Sequence, residues 1–191
     1  MQPHELILGG QKSGKSRRAE LLARDWLAES PTHQALLLAT AQPWDEEMRQ
    51  RIARHQRDRA ERVPGLRTLE VPLALAEAIA QHSRPNTLLV VDCLTLWLTN
   101  WRMPAVETSA SGETIDEAAT QACAALVQAI AQAGGPLGLV GNEIGLGVIP
   151  LGAQVRAFVD ALGRLNQAVA QICPRLTLMV AGQALTVKAG A

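Results

Sequence analysis

Glu5-Leu6-Ile7-Leu8-Gly9-Gly10-Gln11-Lys12-Ser13-Gly14-Lys15-Ser16 is the stretch on which the reading of this chain turns. Glu5 to Leu8 has strand character. Gly9 to Ser16 fits G-x-x-x-x-G-K-[ST], and a stretch of helical period begins near Lys15. The pattern therefore lies after a strand and before a helix, where its chemistry needs it. Glycines let the backbone turn so that successive N–H groups face one anion, and the helix N-terminus adds its partial positive charge. Gly9, Gly10, Gln11, Lys12, Ser13 and Gly14 are thus expected to cradle phosphates. Lys15 reaches the β and γ phosphates as a catalytic cation, and the Ser16 hydroxyl ligates Mg²⁺. The alternative is a chance glycine turn opening an amphipathic helix, against which the flanking strand and helix both weigh.

Working outward, short apolar runs recur at Leu6 to Leu8, Ala35 to Ala39, Leu88 to Val91, Leu137 to Val140 and Leu176 to Val180. Continuous apolarity over such short runs is what strands buried on both faces show, and it favours a parallel sheet. Helices are expected between them, over Lys15 to Glu29, Trp44 to Glu61, Pro72 to His82, Glu113 to Ala133 and Gly152 to Ile172. Pro72 suits a first helical turn, and Ser111-Gly112-Glu113 suits a helix entry. Arg102 to Gly112 is polar and turn-rich and is expected to be a surface loop. The alternation implies an α/β, P-loop NTPase-like fold: a mostly parallel central sheet, doubly wound, with helices on both faces, in a single domain over residues 1–191.

Composition narrows the partners. Eighteen Lys plus Arg balance eighteen Asp plus Glu, so nucleic acid held by a positive field is disfavoured. One Phe, four Trp and no Tyr supply little for base-stacking platforms, which favours small-molecule chemistry. Twelve of the eighteen cations precede residue 71, so an anion site belongs in the first third. Cys93, Cys123 and Cys173 are widely spaced in apolar surroundings and read as buried thiols in a reducing compartment. No apolar stretch is long enough to span a membrane, and the N-terminal residues do not resemble a signal peptide; a cytoplasmic protein is expected.

Mg²⁺ bound to a triphosphate also needs a carboxylate at a neighbouring strand end, and Thr87 to Val91 runs into Asp92. The other role for such an acid is to cap the next helix. Trp44 to Glu61 has acids in its first turn and arginines afterwards, with Met48, Ile52 and His55 on one face and Arg51, His55 and Arg59 in one row. Neighbouring guanidinium groups oppose protonation of His55 and attract phosphates, so an imidazole nucleophile beside a triphosphate is chemically reasonable. A basic solvated helix with an idle histidine has the same sequence.

Several motifs together resemble the bifunctional adenosylcobinamide kinase / adenosylcobinamide-phosphate guanylyltransferase family of cobalamin biosynthesis. The phosphate loop continues as Arg17-Arg18-Ala19-Glu20. Ala39-Thr40-Ala41-Gln42, Asp45-Glu46-Glu47-Met48 and Arg51-Ile52 with His55 look like the A-T-A, D-x-E-M and R-I-x-x-H elements. Val91 to Asn100 resembles the Asp-Cys-Leu-Thr strand and helix. Asn142 to Pro150 resembles N-E-V-G-x-G-I-V-P, and Phe158, Asp160 and Gly163 to Gln167 resemble F-R-D-x-x-G-R-L-N-Q. The chain departs from the family pattern at Leu66, where Trp is usual, at Gly141 and Val159, and at Gly182-Gln183-Ala184.

The resemblance implies two reactions. ATP or GTP phosphorylates the aminopropanol hydroxyl of adenosylcobinamide; GTP then donates GMP to a histidine, and the phosphorylated corrinoid takes it to give adenosylcobinamide-GDP. His55 matches that histidine. Thr40, Ala41, Gln42, Arg59, Glu70 and Asp92 match the nucleotide-contacting region, and Asp92 joins Ser16 as an expected metal ligand. The family also implies a homo-oligomer that shares sites between subunits. Glu143 reads either as a substrate or metal group or as a structural turn acid, and Arg164 and Asn166 as functional groups or as ties between helix and sheet. Two other functions fit the phosphate loop: a small-molecule kinase without a covalent intermediate, and a nucleotide-dependent regulatory module.

Overall fold

The computed structural model describes residues 4–103 and 112–190. Its sheet has the strand order β3-β2-β4-β5-β1-β6-β7. The strands are β1 (Glu5–Gly9), β2 (Gln34–Ala39), β3 (Leu66–Glu70), β4 (Thr87–Asp92), β5 (Leu137–Val140), β6 (Arg175–Val180) and β7 (Gln183–Lys188). All pair in parallel except β7, which turns back antiparallel on β6. The helices are α1 (Lys15–Glu29), α2 (Glu46–Arg62), α3 (Leu75–His82), α4 (Leu94–Arg102), α5 (Gly112–Ala131) and α6 (Ala153–Ile172).

The apolar runs are continuous because each strand feeds two cores. Leu6, Leu8, Leu36, Leu38, Leu89, Val91, Leu137 and Leu139 point to the side covered by α3 to α6. Ile7, Ala35, Leu37, Leu88, Val90 and Val140 point to the other side, where α1 lies over β1, β2, β4 and β5 and brings Ala19, Ala23 and Trp26. Side chains alternate between faces at every residue, so a strand covered on both sides must be apolar throughout. The expected α/β fold with helices on both faces is the one observed.

Several expected boundaries move. Two strands, β3 and β7, were not expected; both lie at sheet edges, and every residue of β7 is exposed. Asp45 accepts the Met48 N–H at 2.7 Å, so α2 begins at Glu46 rather than at Trp44. Pro72 does not open α3: its carbonyl accepts from Asn100 Nδ2 at 2.9 Å, and the helix starts at Leu75. Arg102 closes α4 and Gly112 opens α5, so both ends of the expected surface loop are helical. Residues 104–111, including Ser111 of the expected helix entry, lie outside the described residues. The three cysteines are free thiols; Cys93 and Cys173 are buried, whereas Cys123 is only half-buried. Among the described residues no helix is long and apolar enough to cross a membrane.

Candidate active site

Parallel strands deliver all their carboxyl ends to one edge of a sheet, and ligands of α/β folds bind along that edge. Register places Glu70, Ala39 and Asp92 in one row across β3, β2 and β4, with Val140 of β5 next to Asp92. Thr40, Ala41 and Gln42 leave β2 from that row, and the phosphate loop leaves β1 at Gly9. Thus the first third of the chain and Asp92 meet at one edge although they are far apart in sequence.

The loop is shaped by its backbone. Gly9 (φ 156°) and Gly14 (φ 101°) take conformations that side-chain-bearing residues rarely adopt. A Cβ on Gly9 would lie 2.5 Å from the Met179 carbonyl oxygen, so β6 leaves room only for glycine there. Gly14 caps α1 without a side-chain bond, leaving the helix's first N–H groups turned into the loop. Lys15 is buried at 8% exposure and donates from Nζ to the Gly10 carbonyl at 2.5 Å, which holds its ammonium across the loop. Ser13 Oγ is buried with no hydrogen-bond partner among the described residues. A cation, an unsatisfied hydroxyl and a helix N-terminus converging on one turn suit an oxyanion.

Ser16 Oγ donates to Asp92 Oδ1 at 3.4 Å. Asp92 does not cap α4; Cys93 occupies that position and makes no side-chain cap bond. The carboxylate is aimed by its neighbours. Fully buried Thr40 donates from Oγ1 to the Cys93 carbonyl (2.7 Å) and accepts from the Cys93 N–H (2.8 Å), while its own N–H donates to the Asp92 carbonyl (3.0 Å). Asn100 Nδ2 in turn donates to the Thr40 carbonyl at 2.8 Å. With its hydroxyl bonded to both backbone groups of Cys93, Thr40 holds the Asp92 turn in place. Ser16 and Asp92 are hard oxygen donors side by side at a phosphate loop, and such a pair fits Mg²⁺, which takes one or two protein oxygens together with phosphate and water. No cluster of three His, Cys, Asp or Glu is found among the described residues, and a magnesium–triphosphate site needs none.

His55 lies on α2, whose half-buried Met48 and Ile52 share its face, and it is itself half-buried. One turn on, Arg59 is 6% exposed, donates to Thr68 Oγ1 at 3.2 Å, and has a buried Nε with no partner. No carboxylate pairs with its guanidinium among the described residues. An uncompensated buried cation is costly, and an anion bound beside it would offset that cost. Arg62 ties the end of α2 to the phosphate-loop helix through buried Glu20 of α1, at 2.8 Å. A shallow groove of ≈ 720 Å³ lined by Gln50, Ala53, Arg54, Gln56, Arg57 and Ala60 lies on the opposite face of α2, away from His55. The Arg51 side chain lies outside the described residues.

Thr95 and Asn166 complete this edge. Thr95 Oγ1 accepts from the Asn142 N–H at 2.8 Å, and Asn166 Nδ2 donates to the Asn142 carbonyl at 3.1 Å. Asn166 therefore ties α6 to the sheet. Thr95 and Asn100 were not singled out from sequence; the available signal is a polar residue on the core face of the apolar stretch Leu94 to Arg102.

Known proteins resemble this chain over nearly its whole length. A family model described as cobinamide kinase / cobinamide phosphate guanyltransferase matches residues 5–187. The bifunctional adenosylcobalamin biosynthesis protein CobP of Pseudomonas aeruginosa is 45% identical over 185 residues, 96% of each chain. Its Escherichia coli counterpart, CobU, is 34% identical, covering 96% of this chain and 98% of its own. The structure of the flagellar accessory protein FlaH from Methanocaldococcus jannaschii superposes over 98% of this chain and 80% of its own, with TM-score 0.49 and 14% identity. With a phosphate loop, a strand-end acid and a matching family model over nearly its whole length, the chain belongs to the cobinamide kinase / cobinamide phosphate guanyltransferase family.

Proposed function

We propose that this chain phosphorylates the aminopropanol hydroxyl of adenosylcobinamide with ATP or GTP, and then moves GMP from GTP through His55 to adenosylcobinamide phosphate. The observation that carries the reading is the contact between Ser16 and Asp92 beside the buried ammonium of Lys15. It joins the phosphate loop to a second strand's carboxylate, as a magnesium–triphosphate site requires. Gly9 to Ser16 cradle the phosphates. Thr40, Ala41, Gln42, Arg59, Glu70 and Asp92 border the nucleotide, with Thr40 acting through Asp92. Ser16 and Asp92 would hold Mg²⁺, which would supply positive charge against the triphosphate.

In the first reaction the acceptor oxygen attacks the γ phosphorus and the nucleoside diphosphate leaves. In the second, an imidazole nitrogen of His55 attacks the α phosphorus of GTP and pyrophosphate departs with the bond's electrons. An oxygen of the corrinoid phosphate then displaces the imidazole, breaking the P–N bond and giving adenosylcobinamide-GDP. Dividing one displacement into two through a nitrogen nucleophile lets a single phosphate-binding edge serve both transfers. The buried Arg59 guanidinium, one turn from His55 and without a carboxylate partner among the described residues, supports this assignment, since it would neutralise an incoming phosphate.

The working molecule is a cytoplasmic homo-oligomer of one-domain subunits. Leu146, Val148, Ile149 and Leu151 are 78%, 97%, 77% and 98% exposed, and large apolar side chains so exposed within one short segment support a subunit contact. Incubation with GTP labelled in its α phosphate should leave an acid-labile, alkali-stable label on the protein. His55→Asn should abolish the label while phosphorylation of cobinamide survives. No adduct from the parent protein under turnover conditions would remove the histidine step and leave a simple kinase.

A further inference from the structure

The hydrogen-bond ladder between β5 and β1 continues beyond Val140. Gly141 N–H donates to the Ile7 carbonyl at 3.0 Å and Glu143 N–H to the Gly9 carbonyl at 3.2 Å, a step of two on each strand. Parallel pairing thus runs on until Glu143 stands beside the first residue of the phosphate loop. Alternation turns its side chain to the α6 side of the sheet. There Asn166 Nδ2 reaches Oε2 at 3.4 Å, and the Gly145 N–H donates to Oε1 at 3.0 Å. Each carboxylate oxygen accepts one bond and keeps capacity for another, and the residue is half-buried, open to an arriving group.

The two reactions differ in what their nucleophiles need. An imidazole nitrogen and a phosphate oxygen attack with a lone pair already free, whereas an alcohol must lose its proton as the new bond forms. A base is therefore required in the kinase step alone. We propose that Glu143 is that base, an inference resting on the bifunctional reading above. The acceptor O–H proton passes to a free oxygen of the Glu143 carboxylate as the alkoxide-like oxygen bonds to the γ phosphorus. The bond from phosphorus to the β,γ-bridging oxygen breaks, and the nucleoside diphosphate leaves with its electron pair. Glu143 then returns the proton to water. Asn166 is a positioning residue: it holds Oε2 and the Asn142 carbonyl together and fixes where the carboxylate stands.

Glu143→Gln separates this role from a structural one, because the glutamine carbonyl still accepts the Gly145 N–H and only the 3.4 Å bond from Asn166 Nδ2 is lost. The expected result is a fall in kcat for cobinamide phosphorylation of about 100-fold or more, with the acceptor KM changed less than about threefold. Labelling of His55 by α-labelled GTP should proceed at the parent rate. Glu143→Asp, which keeps a shorter carboxylate, should lie between the parent and Glu143→Gln. Phosphorylation by Glu143→Gln within about threefold of the parent overturns the inference. So does an equal loss of both reactions in Glu143→Gln, which would make Glu143 part of the shared phosphate site. A parent protein without kinase activity contradicts the bifunctional reading itself, whereas an active parent with an undiminished Glu143→Gln contradicts this inference alone.

Discussion

Replacing Thr40 with valine keeps the shape of the side chain and removes its hydroxyl. In the native structure that hydroxyl satisfies both backbone groups of Cys93, at 2.7 and 2.8 Å, in a fully buried setting. The variant strands the Cys93 N–H away from water, whereas the Cys93 carbonyl keeps the bond it accepts from the Trp97 N–H at 3.0 Å. The unsatisfied N–H costs about 1–3 kcal/mol and the lost second bond at the carbonyl about 1 kcal/mol, while the added methyl returns about 1 kcal/mol of apolar burial. The net loss is therefore about 2 kcal/mol, read as a lower urea midpoint by tryptophan fluorescence. Because Cys93 follows Asp92, the same change should loosen the carboxylate and lower phosphorylation about tenfold, with His55 untouched. Thr40→Ser keeps the hydroxyl and should recover most of both properties, losing about 1 kcal/mol for the missing methyl. A Thr40→Val protein as stable as the parent to within about 0.5 kcal/mol would refute the claim that this hydroxyl holds the Asp92 turn.

Lys15→Ala should weaken triphosphate use in both reactions, since in the proposed mechanism the ammonium that bonds Gly10 would face the phosphates each time; undiminished turnover in either would place Lys15 outside that step. Arg59→Met keeps the stem of the side chain and discards a buried charge with no acidic partner among the described residues. Its unfolding midpoint should not fall, while the KM for GTP should rise about tenfold or more; a marked loss of stability with an unchanged KM would make Arg59 a structural residue. Burial pushes the Cys173 thiol up to about 12 from its ordinary 9.0. A thiol held neutral in the fold but free to ionise when unfolded contributes stability that is whole below about pH 9 and is lost as the pH climbs towards 12. Cys173→Val should show a shallower decline than the parent over that range in pH-dependent urea unfolding, and parallel curves would contradict the shift.

What was legible in the sequence was local. Five apolar runs announced β1, β2, β4, β5 and β6 because strands flanked by helices on both sides must be apolar at every position. Leu66 to Glu70 and Gln183 to Lys188 gave no such signal, since edge strands face solvent and carry polar residues. The phosphate loop was readable because its chemistry is encoded in eight consecutive residues, and Asp92 because it ends an apolar run. The contacts of Thr40 with Cys93, of Asn166 with Asn142, and of Glu143 with Gly9 span 53, 24 and 134 positions. They depend on the order and register of strands, which no local pattern states. Glu143 illustrates the difference: its residue type left a turn acid and a functional group equally open, and only the extended β5–β1 ladder brings it to the phosphate loop.

The central claim is that one phosphate-binding edge carries out two successive transfers on one corrinoid. It is tested most directly by mass analysis of the products formed when the purified protein is mixed with GTP, Mg²⁺ and adenosylcobinamide. The account predicts adenosylcobinamide phosphate first, followed by adenosylcobinamide-GDP with release of pyrophosphate. Accumulation of adenosylcobinamide phosphate alone, with GTP in excess and no pyrophosphate released, would contradict it.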